Sequence, residues 1–152
     1  MNDTVVARPC WTVLAQKAED KIALIQNEMA QTRTRLDSLR NSEQRVQKMY
    51  DEYRDNLNRA DKQSLGMREA MNQRQFMSQL LTLMQRVKTD IQYTENALIG
   101  IKERLVSAER ERIKMQTLAD QNAQAVQRAE NQKDQRRMDA LGVMQFNLRP
   151  QA

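Results

Sequence analysis

The chain has 152 residues, with 25 Lys and Arg against 20 Asp and Glu, a net charge of +5, no histidine, one cysteine, 3 Gly and 2 Pro. Only 39% of its residues are hydrophobic and 4% aromatic, and its mean hydropathy is −0.86. Such a composition excludes a thick globular core and a turn-rich sheet protein, and fits long helices sharing narrow apolar seams.

The first predicted element begins near Pro9, because proline is tolerated in the first helical turn. From there Trp11, Ala15, Ala18, Ile22, Ile25, Met29, Thr32, Leu36, Leu39, Glu43, Val46, Tyr50, Tyr53 and Leu57 recur in alternating steps of four and three. This heptad seam, free of Pro and Gly, predicts a helix over about residues 10–58. A polar stretch containing Gly66 follows, and it predicts a chain reversal at about 59–68.

A second seam then runs through Met77, Leu80, Met84, Val87, Ile91, Leu98, Ile101, Leu105, Ala108, Met115, Ala119, Val126 and Ala129, interrupted by Thr94, Arg112 and Asn122. It predicts a helix over about 69–141, stopped at Gly142 and followed by a frayed tail, 142–152. Two such helices joined by one break predict an all-α fold: a single coiled-coil domain, 1–152, folded as an antiparallel hairpin. Folding about the break lays Trp11 near Met115 to Ala123, so the second helix overhangs the first. The flanking charges leave the register open: Arg40 can meet Glu95 and Lys21 can meet Glu111, but a one-heptad shift swaps the partners.

No catalytic constellation is present. Without histidine the usual general base and metal ligand are missing, and Gly66, Gly100 and Gly142 are too scattered for a phosphate loop. The expectation is a non-enzyme with no cofactor and no metal. Cys10 closes no internal disulfide, no apolar run reaches the roughly 20 residues that span a bilayer, and Met1 to Pro9 lack the pattern of a secretory signal. A soluble cytoplasmic protein is expected. Its positive excess is mild and intermixed, which argues against a nucleic-acid partner.

Two stretches carry candidate binding residues. Phe76, Leu80, Leu81, Leu83 and Val87 make the start of the second helix oily on more than one face, either as a widened core or as a docking patch. Leu80 and Val87 lie on the seam, whereas Phe76 and Leu83 lie one position before it. At the other end the seam gives way to Lys133 and Arg136, so the helix becomes polar all round, which means fraying or engagement of something outside the hairpin.

At these residues the sequence resembles the flagellar export protein FliJ family of the bacterial flagellar type III secretion apparatus. The resemblance is carried by Glu52-Tyr53-Arg54, Asn56-Leu57-Asn58, Gln75-Phe76, Glu130-Asn131, Asp134-Gln135 and Arg136-Arg137-Met138-Asp139, in order and spacing, over essentially the whole chain. It implies an antiparallel hairpin like the coiled-coil stalk of a rotary ATPase. It implies association of the terminal end with the hexameric export ATPase, contact of the tip side with the cytoplasmic domain of the membrane export gate, and handling of export chaperones. The protein would then sit at the cytoplasmic face of the inner membrane, held there peripherally through the export apparatus. Carried over residue by residue, the gate-binding patch falls on Phe76, Leu80, Leu83 and Val87, with different side chains from the family's at Leu83 and Val87. The ATPase-facing region falls on Lys133, Asp134, Arg136, Arg137 and Asp139. Competing readings are the equivalent stalk of a virulence injectisome, a purely structural coiled-coil spacer, and a basic nucleic-acid-associated hairpin.

Overall fold

The structure, a computed structural model, describes residues 9–60 and 66–149. It is all-α: helix α1 spans Pro9–Ala60 and helix α2 spans Met67–Leu148, and the two pack against each other as a helical hairpin. Part of the reversal expected at 59–68 falls on 61–65, outside the described residues. Pro9 opens α1 where its missing N–H costs nothing, and Arg59 stands in its last turn, where a cation complements the carbonyl end of the helix dipole. Gly66 starts α2: its carbonyl accepts from the N–H of Glu69 at 3.1 Å and of Ala70 at 3.2 Å. Glu69 sits in that first turn, where a carboxylate is favourable.

α2 does not stop at Gly142. It continues to Leu148, so residues 143–148, expected in a frayed tail, are helical. A lone glycine costs a helix only about 1 kcal/mol, and nothing after it breaks the run until Pro150, which disfavours helical backbone at the residue before it. The helix closes there on a bond from Arg149 N–H to the carbonyl of Phe146, 3.3 Å.

Packing groups the helices into two compact units, Leu24–Leu105 and the pair Met1–Ala23 with Val106–Ala152. In the unit Leu24–Leu105 the seam is thick. Ile25, Leu36, Val46, Leu57, Leu80, Met84, Val87 and Ile101 are buried, and Tyr50, Tyr53 and Phe76 pack against the cluster of Val46, Leu80 and Met84. Its register is antiparallel, and two ion pairs mark it: Arg40 to Glu95 at 3.2 Å and Arg104 to Glu28 at 3.0 Å. The first is one of the two pairings that the charges allowed. Hydrogen bonding to Glu28, then its charge, raises the Arg104 pKa further above its ordinary value. Both pairs are exposed, a setting worth at most about 1 kcal/mol, so apolar packing holds the register. Thr94, on the seam and buried, is satisfied within its own helix, donating to the carbonyl of Asp90 at 2.7 Å.

The unit formed by Met1–Ala23 and Val106–Ala152 has a thin seam. Its buried residues are Ala15, Ala18, Ile22 and Ala108; Trp11, Met115, Ala119, Val126 and Ala129 are half-buried. Arg112 occupies a seam position and is held by Glu109 of its own helix at 3.2 Å. Among the described residues, Lys21 and Glu111 form no ion pair. From Glu130 to Arg149 every residue is exposed.

The two seams differ in what they contribute. A fully buried Leu or Ile is worth roughly 1.5–3 kcal/mol, whereas an alanine methyl contributes roughly 0.8 kcal/mol. Amide exchange read by mass spectrometry should therefore be faster in 9–23 and 106–130 than around Val46, Leu80 and Met84; uniform protection across these stretches would contradict this. A second measurement concerns Gln73, whose Oε1 is buried with no hydrogen-bond partner among the described residues. An orphaned buried polar group costs about 1–3 kcal/mol, so Gln73→Leu should raise the melting temperature by several degrees, and a fall would show that the oxygen is satisfied.

Candidate functional site

The oily entry of α2 separates into two sets by heptad position. Leu80 and Val87 lie on the seam and are 4% and 8% exposed. They are core residues, and a partner reaches them only if the helices part. Phe76 is half-buried, its ring tilted 49° against Tyr53 with centroids 4.8 Å apart. Leu83, one heptad after Phe76, is 43% exposed. An open groove beside it is lined by Ser78, Gln79, Thr82, Leu83 and Arg86. Of the four residues that sequence places in one patch, then, Leu83 is exposed, Phe76 is half-buried against the cluster that includes Leu80, and Leu80 and Val87 are core.

The register adds a residue that sequence reasoning misses. Glu28 and Arg104, which meet, each stand just before a seam residue, Met29 and Leu105 respectively. Three heptads along from that pair in each helix lie Met49 and Leu83, just before Tyr50 and Met84. Met49 is therefore level with Leu83 on the same flank, and it too is exposed. Its only signal in the sequence is its place one step before a seam tyrosine, which identifies a neighbour only once the pairing of the helices is known. Tyr53 contributes its ring to Phe76, and the neighbouring Arg54 reaches Asp51 at 3.6 Å and Asp55 at 3.7 Å, a solvated surface arrangement.

The charged exit is open on every side. Lys133, Asp134, Arg136, Arg137 and Asp139 are all exposed. Asp139 accepts a hydrogen bond from Gln135 one turn before it, 3.1 Å. Among the described residues none of the five takes part in an ion pair, so their charges are available to an outside partner.

The same residues also offer little to chemistry. Among the described residues no group of three or more His, Cys, Asp or Glu is arranged to hold a metal ion, and no helix is long and apolar enough to cross a membrane. The free thiol of Cys10 is exposed, with no histidine in the chain to activate it. What the surface presents is an apolar flank on one unit and an unpaired charged helix on the other.

Comparison with known protein families finds a match. The family model described as Flagellar FliJ protein fits residues 12–151, nearly the whole chain. No curated protein matches the sequence, and no solved structure does. The heptad seams, the two-helix hairpin and this match together place the chain in the flagellar FliJ family, the helical proteins associated with flagellar type III export.

Proposed function

We propose that the protein is a stalk and adaptor of the flagellar export apparatus, acting by contact rather than by catalysis. Its terminal end, with Lys133, Asp134, Arg136, Arg137 and Asp139, docks on the hexameric export ATPase and promotes assembly of the ring. Its apolar flank, Phe76 and Leu83 with Met49 beside them, docks on the cytoplasmic domain of the membrane export gate. Coupling the two assists entry of subunits released from export chaperones, and it places the protein at the cytoplasmic face of the inner membrane. The observation that carries this reading is a division within one short stretch: Leu80 and Val87 are core, while Leu83 is apolar and left in solvent. A leucine exposed beside a complete seam is surplus to folding and suits a partner.

The burial pattern selects the test. Leu80→Ala would remove a buried side chain at a cost of about 2–5 kcal/mol, so lost binding would report lost fold. Leu83→Asp changes an exposed position and should leave the helical circular dichroism and melting temperature unchanged. In a pulldown with the cytoplasmic domain of the gate, Leu83→Asp and Phe76→Ala should both lose the signal. Full retention by Leu83→Asp would remove the flank from the proposal.

For the other end, purified protein should increase hexamer formation and ATP turnover of the export ATPase. The double variant Arg136→Ala/Arg137→Ala should do so less, with a weaker dependence on salt, because screening acts over about 10 Å at 0.1 M ionic strength. A wild-type protein that neither binds the ATPase nor changes its assembly would leave a structural spacer as the reading.

A further inference from the structure

α2 carries a second apolar stripe outside the seam. Ile99, Val106 and Ile113 stand one heptad apart, each one position after a seam position, Leu98, Leu105 and Arg112. That offset turns a side chain about 100° from the seam residue it follows. All three are exposed, at 56%, 52% and 56%. The stripe is bounded, because the same register holds Gln85 and Gln92 before it and Asp120 and Gln127 after it. α2 runs unbroken through this stretch. Seven residues fall about 20° short of two full turns, so the three side chains stay in line over about 21 Å of helix.

Charged residues line both edges of the stripe. Residues three and four positions away neighbour a helical side chain, which puts Lys102 and Glu109 on one edge of Val106 and Glu103 and Arg110 on the other. Lys102, Glu103 and Arg110 are exposed, and among the described residues they form no ion pair. Glu109 is half-buried and holds Arg112 of its own helix at 3.2 Å. A carboxylate has acceptor sites for more than one donor, so Glu109 can still receive a second cation.

We infer that a second copy of the chain docks on this stripe, α2 against α2, to form a homodimer. Apolar side chains at heptad spacing fit a helix laid alongside, and the edge charges identify that helix. Run antiparallel, with Val106 opposite Val106, Lys102 comes level with Glu109 of the second copy and Glu103 with its Arg110. Run parallel and in register, Lys102 meets Glu103 of the second copy and Glu109 meets its Arg110. In either direction each edge cation faces a carboxylate and no like charges are brought level. A surface made for an unrelated helix needs to match that helix, not itself. The stripe is short, so it buries less than a standard stable interface, and the dimer is a weak one that forms at high concentration. The inference uses neither the charged exit nor the flank at Phe76, so it stands apart from the proposed docking.

The test is sedimentation equilibrium of the full chain over a range of concentrations, with reductant present. The wild-type chain should shift from monomer toward dimer as concentration rises. Val106→Asp changes an exposed position and should weaken association several-fold with its helical circular dichroism intact. Lys102→Glu/Arg110→Glu leaves only carboxylates on the edges, and Glu103→Lys/Glu109→Lys leaves only cations. Each should be monomeric alone, and an equimolar mixture of the two should dimerise again, a recovery that misfolding does not produce. In a Cys10→Ser background, Val106→Cys should form a disulfide-linked dimer several-fold faster than Leu24→Cys, although Leu24 is more exposed, at 70%. A wild-type chain that is monomeric at every concentration overturns the dimer; loss of ATPase or gate binding by Val106→Asp would then assign the stripe to that partner. A dimer that Val106→Asp leaves unchanged also overturns it, as does a mixture that stays monomeric while both charge variants keep their fold.

Discussion

One constraint governs this molecule: each helix has a single apolar stripe, and that stripe is only wide enough to be covered by one neighbour. A polar chain with 39% hydrophobic residues cannot build a core in depth, so it builds one in length, layer upon layer of side chains from α1 and α2. The positions that meet the neighbour are all taken out of water at least in part, from Trp11 to Leu57 on α1 and from Met77 to Ala129 on α2. This includes the polar ones. Thr94 turns its hydroxyl back to its own helix, and Arg112 reaches along its helix to Glu109, so neither carries an unanswered group into the seam.

Some large apolar residues lie outside the seam. Met49 and Leu83 on one flank, and Leu141, Val143, Met144, Phe146 and Leu148 at the end of α2, are outside the set that the neighbour covers. The two groups differ in kind. The flank lies on the unit whose seam is thickest, where Tyr50, Tyr53 and Phe76 pack on Val46, Leu80 and Met84. The terminal segment lies beyond the seam, and every residue from Glu130 to Arg149 is exposed.

The seam is legible in the sequence almost residue by residue, since a three-four spacing sustained over many turns is the period of a helix with one covered stripe. The pairing of the two seams is not. Arg40 with Glu95 is one admissible match among several, and exposed ion pairs are too weak to choose between registers; the choice is made where Tyr53 meets Phe76 and Val46 meets Leu80 and Met84. For the same reason Met49 is invisible in the sequence as a neighbour of Leu83. The terminal segment is hidden for a different reason, because Gly142 reads as a stop. Glycine weakens a helix without ending it, and the end is set by the proline at position 150. Family membership is legible because short motifs near Tyr53, Phe76 and Arg136 occur in the right order and at the right distances.

The position of the thickest packing has a kinetic consequence. Tyr53 and Phe76, with the cluster of Val46, Leu80 and Met84, lie near the chain reversal, so bringing them together closes a shorter loop than the contacts toward the start of α1. The entropy cost of closure grows with loop length, and here the lowest cost coincides with the largest gain in buried apolar surface. Folding is thus favoured to nucleate beside the reversal, with later layers added next to ones already formed. A topology dominated by such nearest-available contacts has low contact order and folds fast. A chain of this design does not depend on its ends finding each other first.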